Sequence, residues 1–354
     1  MKKVIFIYIL FLVNLSRMLL GGDLPVIKLK NVDDKEYTNM NFIKSEFVCI
    51  IFYSNHCRVS QQFEFAIKEI AKKFQESNST IVVVSPNNEN AIIPDELAYS
   101  DLSDGFDDMK KRYLQRQFNF PFLYDGRKQT LSTSLQASTT PQAFLFNQER
   151  KLIYNGRIGD YNEPKNLEKS DLLRVYIEAR HKNREFLKTK VHGSSIKSSR
   201  NLEIAEQVKR RYSKEKVTIR EIEKPTLEFY LEFGTKNPSI FYLWETTDTN
   251  SRENLLALSE IYKIFRKRGF KLYTFCIGSS KENALMCLKQ AQLSSINFYI
   301  PGKDITPLTQ FIPPNSRSVT PLTVFLGTNK KIILSLIGKI KKQEIKKHLV
   351  DKLK

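Results

Sequence analysis

One thiol in this chain stands where covalent chemistry is feasible. Phe47-Val48-Cys49-Ile50-Ile51-Phe52-Tyr53 is a run of seven apolar, β-prone residues, and Cys57 follows shortly after it. Such a run reads as a buried central strand. From Gln61 to Phe74 apolar residues recur at helical spacing, which puts Cys57 near a helix N-terminus. Unpaired amides and the helix dipole there lower a thiol's pKa and make it a nucleophile. His56 and Arg58 flank the thiol and add positive charge. His56 suits either an acid–base role or that of a neutral exposed histidine. The Ser54 and Ser60 hydroxyls can donate to a thiolate, and Ser60 equally suits a helix cap. Thr140-Pro141, ahead of a second strand Gln142–Phe146, can form a loop facing the thiol, with a cis bond expected at the proline. Arg157 reads as an anion holder near this site or as a solvated strand end.

The elements that must position these residues alternate. The pattern predicts strand Val26–Leu29, a helix near Phe42, strand Phe47–Tyr53, helix Gln61–Phe74 and strand Thr80–Val84. An insert follows from Ser85 to about Tyr113, with an acidic stretch Asp101–Asp108. Strand Phe122–Tyr124, helix Leu131–Leu135, the hairpin Ala143–Phe146 with Leu152–Tyr154 and helix Lys169–Phe186 complete the first half. Alternation of this kind predicts an α/β domain whose sheet is mostly parallel and covered on both faces.

A chain of 354 residues with 41% hydrophobic positions, 24 Phe and 15 Tyr has enough apolar mass for two cores, so a disordered protein is excluded. Residues 1–22 carry Lys2-Lys3 and then an uncharged run Val4–Val13, the layout of a signal peptide or, if uncleaved, an N-terminal anchor. Cleavage is the favoured reading, although no Ala-x-Ala site is visible. Export places the chain in a periplasmic or extracellular space, where its four cysteines can be oxidised. Cys49 reads as a buried strand residue, and a bridge between Cys276 and Cys287 is an open option. Charge is uneven: the net balance is +2 over residues 1–180 and +17 over 181–354. A basic half suits an anionic surface, or simply a lysine-rich solvated face. Nucleic acid is not an expected partner of an exported protein.

Together, the motifs resemble the thioredoxin superfamily, in which a strand leads to a cysteine at a helix start and a cis-proline loop lies opposite. The resemblance is closest to redoxin-type proteins with an active-site Cys-Asn-His-Cys-Pro and a closing Gly-Cys-Ser-Ile-Lys-Trp. Here the first motif reads Ser54-Asn55-His56-Cys57-Arg58 and the second Gly193-Ser194-Ser195-Ile196-Lys197-Ser198. Asp95–Asp104, Phe120–Asp125 and Arg150–Arg157 are similar to the same family. The resemblance implies that Cys57 is the catalytic residue and that Thr140 and Pro141 bind substrate. It also marks what is missing: the family's sulfurs are replaced at Ser54, Ser194 and Thr139, and the thioredoxin second cysteine at Ser60.

The second half repeats the plan. Thr320-Pro321 and strand Thr323–Leu326 follow Thr140-Pro141 and Ala143–Phe146 at an offset of 180. Upstream, strand Ser239–Trp244 is followed by Asp248-Thr249-Asn250-Ser251 where a thioredoxin carries Cys-x-x-Cys. Asp248 or Ser251 suits a helix cap, and Asn254–Lys267 reads as helix. The expected architecture is two thioredoxin-like domains in tandem, each a central mixed sheet flanked by helices. The expected spans are 23–198 for the redoxin domain, 199–224 for a charged helical connector and 225–354 for a second domain without redox cysteines.

Three functions fit. One is a thiol–disulfide oxidoreductase acting through Cys57 alone on protein or low-molecular-weight thiols and disulfides, with an external thiol completing the cycle. Another is a one-cysteine peroxidase; Ser54, three residues before Cys57, suits it, but Ile50 stands where such enzymes carry proline. The last is a binding module that kept the fold and lost turnover. The first is preferred, because Cys57, Thr140 and Pro141 survive. No phosphate loop, metal cluster or serine triad is legible, so neither cofactor nor metal is expected.

Overall fold

The computed structural model describes residues 22–182, 184–233, 237–278, 280–301, 304–312, 320–328 and 331–353. The expected leader over residues 1–22 lies outside the described residues save for Gly22. No described helix is long and apolar enough to cross a membrane. The chain forms two compact units: residues up to Ile92 together with Leu102–Glu203, and Ile93–Asp101 together with the residues from Ile204 onward.

The first unit is built on β3 (Val48–Phe52), whose five residues are all buried. Strand residues alternate between the two faces of a sheet. Cys49 and Ile51 face one core, with Ile67, Ile70, Phe74, Leu172 and Tyr176; Val48, Ile50 and Phe52 face the other, with Phe42, Leu131 and Phe144. Each such apolar side chain contributes roughly 1.5–3 kcal/mol when fully buried. Because both faces are covered, the strand is a continuous apolar run.

Around it lie β1 (Lys28–Asn31), β2 (Glu36–Thr38), β4 (Thr80–Ser85), β5 (Phe122–Tyr124), β6 (Thr139–Thr140), β7 (Gln142–Phe146), β8 (Leu152–Gly156), β9 (Leu187–Lys188) and β10 (Ser194–Ser195). Eight of them form one sheet in the order β2-β1-β5-β4-β3-β7-β8-β9, and β10 pairs separately with β6. The sheet is mixed rather than mostly parallel: β3, β4 and β5 run parallel, while β7 is antiparallel to both β3 and β8. The short turn joining β7 to β8, closed by the Asn147 and Arg150 bonds, permits only an antiparallel hairpin.

Helices α1 (Arg58–Gln62), α2 (Glu64–Gln75), α3 (Phe106–Arg116), α4 (Thr130–Ser134) and α5 (Asp171–His181) complete the unit. The helix expected from Gln61 begins at Arg58 instead and is interrupted at Phe63. On α2, Ala66, Ile67, Ile70, Ala71 and Phe74 face the core at three- and four-residue spacing. The insert contains α3, for which the sequence reading had only an acidic stretch. The helix expected to reach Phe186 stops at His181, and Leu187–Lys188 joins the sheet beside β8.

The second unit repeats the scheme with α6 (Leu202–Ser213), β11 (Arg220–Glu221), α7 (Lys224–Phe233), β12 (Ser239–Glu245), α8 (Thr249–Phe265), β13 (Lys271–Ile277), α9 (Lys281–Gln290), β14 (Ile296–Tyr299), β15 (Leu322–Leu326), β16 (Ile332–Ile337) and α10 (Lys342–Lys352). Its sheet order is β11-β14-β13-β12-β15-β16, parallel from β11 to β12 and antiparallel beyond. The expected connector thus contributes a helix and an edge strand. Ile240, Tyr242 and Trp244 face one core of this unit, and Phe241 and Leu243 the other. Pro94–Tyr99 forms a short 3-10 helix in this unit, where Asp95 accepts from the Tyr212 hydroxyl at 2.7 Å and the Arg268 guanidinium lies 4.4 Å from the Tyr99 ring centre.

All four cysteines are free and buried. The optional Cys276–Cys287 bridge is therefore not formed. Burial pushes the Cys276 thiol up to about 12 and drives Cys49 higher still, so both are inert at neutral pH.

Candidate active site

Cys57 leaves β3 by a tight loop and occupies the N-cap of α1. Its sulfur accepts the Ser60 amide at 3.5 Å, and the thiol donates to the Thr140 carbonyl at 2.9 Å. The Thr140 hydroxyl sits 2.9 Å from that of Ser54. The Thr140–Pro141 peptide bond is cis, as is Thr320–Pro321. Ser60 also receives the Ser54 amide on its hydroxyl at 3.5 Å, so it stabilises the loop as well as the sulfur.

A strap closes the site. Strand β10 lies antiparallel on β6, with Ser194 opposite Thr140 and Ser195 opposite Thr139. Thr140 donates to the Ser194 carbonyl at 3.4 Å. On one side the strap is pinned by Thr189, which accepts the Arg157 amide at 3.0 Å, and by the His192 amide, which donates to Tyr161 at 2.8 Å. On the other, the Ile196 amide reaches the Ser138 carbonyl at 3.0 Å and the Lys197 amide reaches Asn87 at 2.7 Å. Beneath this cover Cys57 is only 1% exposed.

Burial by itself raises the pKa of Cys57, but hydrogen bonds from Ser194 and Ser60 to the sulfur outweigh it and hold the thiol below its ordinary value. The Ser60 contribution is the one expected of a helix N-terminus, whereas Ser194 was not expected and the added positive charge of His56 and Arg58 is not among the leading causes. Arg58 is exposed, where water and salt screen its charge. The buried His56 ring is bound through Nδ1 to Asp104 at 2.7 Å. Arg157, the other candidate cation, pairs with Asp171 at 2.6 Å.

Of the positions where the resemblance expects sulfur, three hydroxyl residues gather here: Ser54 on Thr140, and Ser194 and Ser60 (the latter at the thioredoxin second-cysteine position) beside Cys57. Thr139 instead lies with its hydroxyl 3.3 Å from Ser138. Sequence reasoning missed Asp104 and Asn87. Their contacts with the loop and strap span tens of residues, so no local spacing reveals them; the signs available for Asp104 were its acidic stretch and its place at the end of the family-like segment Asp95–Asp104.

The second unit carries a copy of this site with the sulfur replaced. Val48 pairs with Phe146 and Thr80, and Ser239 pairs with Leu326 and Lys271. Residue 239 thus stands for 48, and the same offset of 191 brings Asp248 to the place of Cys57, Glu245 to that of Ser54 and Ser251 to that of Ser60. The hydrogen bonds follow. Asp248 caps α8 by accepting the Ser251 amide at 2.5 Å, Ser251 accepts the Glu245 amide at 3.3 Å, and Thr320 donates to Glu245 at 2.9 Å. A carboxylate does the capping here and no covalent chemistry is available. Asp248→Ala should lower the stability of this unit by about 1 kcal/mol through the lost cap. Urea unfolding with an unchanged midpoint would show that the carboxylate does not cap.

Residues 20–155 match the model of the AhpC/TSA family. The match falls on the part of the chain that holds Cys57 and the Thr140-Pro141 loop, and it agrees with the resemblance of those residues to redoxin-type proteins of the thioredoxin superfamily. Solved structures similar to the chain include a hypothetical protein from Sinorhizobium meliloti 1021, at 24% identity and TM-score 0.43 over 51% of this chain and 94% of that one. An uncharacterized conserved protein from Geobacillus kaustophilus is 25% identical, with TM-score 0.42 over 50% and 91%. The bacterioferritin comigratory protein of Xanthomonas campestris is 14% identical, with TM-score 0.33 over 44% and 92%. No curated protein matches the chain.

Proposed function

We propose that the chain is an exported thiol–disulfide oxidoreductase that works through Cys57 alone and takes its second sulfur from an external thiol. The observation that supports this most is the Cys57 sulfur held below its ordinary pKa by Ser194 and Ser60 while every neighbouring family sulfur position is a hydroxyl. The Cys57 thiolate attacks one sulfur of a substrate disulfide, forming a mixed disulfide and expelling the other half as a thiolate. An external thiolate then attacks the mixed disulfide, regenerates the Cys57 thiolate and leaves joined to the first half. No net oxidant is consumed, because the external thiol supplies the electrons. Substrates are protein or small disulfides; the basic residues of 181–354 give the chain affinity for an anionic surface.

One observation favours a second reading, a binding module without turnover: the thiol is almost wholly covered by the strap. Insulin-disulfide reduction separates the two. The oxidoreductase reading expects activity that requires added glutathione and disappears in Cys57→Ser. Full activity without glutathione would end the single-cysteine mechanism, and no activity in either condition would leave the binding module.

A further inference from the structure

Asp104 is fully buried, and its two carboxylate oxygens collect four donors. Oδ1 accepts the Asn55 amide at 2.6 Å and the His56 amide at 3.3 Å. Oδ2 meets His56 Nδ1 at 2.7 Å and accepts Asn87 Nδ2 at 2.6 Å. A buried carboxylate costs several kcal/mol to desolvate and persists only when its lone pairs are engaged in this way. Burial raises its pKa, but the His56 ring and the donated hydrogen bonds outweigh this and keep it below the usual carboxylate range. It is therefore ionised, and an ionised carboxylate only accepts, so His56 Nδ1 must carry a proton.

The reach of this group extends in two directions. Toward the thiol it grips the backbone of the two residues before Cys57, and Asn55 is held again by its side chain on the Ser103 carbonyl at 2.7 Å and by Gln61 on its own carbonyl at 2.6 Å. Toward the strap, Asn87 passes the connection to the Lys197 amide. One carboxylate from the insert thus ties the loop that carries the sulfur to the strap that covers it.

We propose that Asp104 is the positioning residue of this site: its carboxylate holds the Asn55–Cys57 turn and the His56 tautomer so that the Cys57 sulfur meets the Ser60 amide and the Ser194 hydroxyl. The proposal rests on the reading of Cys57 as the reactive thiol. Other titratable groups within electrostatic reach of this cluster are Tyr53 and Tyr124, both kept neutral mainly by burial, and Arg112, which acts on Tyr53; Tyr161 lies within reach of the sulfur.

The test is the Cys57 titration in the full chain carrying Asp104→Asn. The substitution keeps the shape but turns an amide donor toward two groups that donate. A positioning role predicts a thiol pKa higher by about one unit, read from the pH dependence of the iodoacetamide reaction and not from its absolute rate, which loosening of the strap also raises. Simple removal of a negative charge predicts the opposite sign, a lower pKa. A purely structural role predicts lower thermal stability with the titration unmoved. A pKa that falls or stays constant in the folded variant therefore overturns the proposal. A measurement on the unmodified chain guards against a variant that does not fold: nitrogen NMR of His56 should show Nδ1 protonated from pH 5 to 8, and an unprotonated Nδ1 in that range would equally overturn it. Both readouts concern the thiol and its neighbours rather than turnover, so an inactive protein would refute the oxidoreductase reading without deciding the role of Asp104.

Discussion

Gly193→Ala should uncover the Cys57 thiol and speed its alkylation by tenfold or more. Gly193 has φ +149, a region that L side chains rarely adopt, and a Cβ there would lie 2.0 Å from the Thr140 carbonyl oxygen. That neighbour is backbone in the β6–β10 pairing and cannot turn aside. The strap must therefore lift at this point. A side chain in disfavoured backbone costs of order 1–2 kcal/mol before the clash is counted. Reaction of a covered group proceeds through local opening, and each 1.4 kcal/mol removed from the opening cost raises the open population about tenfold. Iodoacetamide kinetics with peptide mapping give the answer, with Cys49, Cys276 and Cys287 as internal references because all three are buried within the two cores or against them. An unchanged Cys57 rate would show that the strap is not what limits access. Faster labelling of all four would indicate general unfolding instead.

Ser194→Cys should create an intramolecular disulfide with Cys57, so that the second sulfur resolves the mixed disulfide and the external reductant only regenerates the dithiol. Ser194 is close enough to help lower the Cys57 pKa, and strand pairing fixes its backbone opposite Thr140, whose carbonyl accepts from the same thiol. A thiol replacing that hydroxyl lies where the short Cβ–Cβ approach of a disulfide is met with little backbone movement. Such a bridge closes a long loop, which in the chain-entropy account stabilises by roughly 4–5 kcal/mol. Mass spectrometry after alkylation without reductant should find two thiols fewer than after reduction, and thermal unfolding should shift upward on oxidation. Insulin reduction should then proceed with a dithiol-regenerating system and without glutathione. Two free thiols in the oxidised variant would place the strap too far from the sulfur for this chemistry and would weaken the assignment of Ser194 as its hydrogen-bond donor.

The strand order and the site illustrate different limits of sequence reading. Strand β3, the α2 core face and the two Thr-Pro loops are encoded in local patterns of apolar and turn residues, and they reappear within a few residues of their expected bounds. The Cys57 environment is not local. Its expected cations, Arg58 and His56, are near in the chain, but one is exposed and the other is held by Asp104. The groups that act on the sulfur arrive from Thr140, 83 residues away, and from the strap beyond it. Likewise the helix expected through Phe186 stops at His181, ahead of Leu187–Lys188, which pair with β8.

By itself, the sequence determined that one thiol follows a buried strand at a helix start and that the strand–helix plan with its Thr-Pro loop recurs in the second half, because apolar periodicity and punctuating Thr-Pro pairs are properties of short segments. Tertiary structure alone decided that Ser194 joins Ser60 in acting on that thiol while the neighbouring cations do not, that a strap covers it, and that Asp248 caps its helix in the second unit as Cys57 does in the first. Hydrogen bonding and burial depend on which distant segments meet, and that is set by the packing of the whole domain.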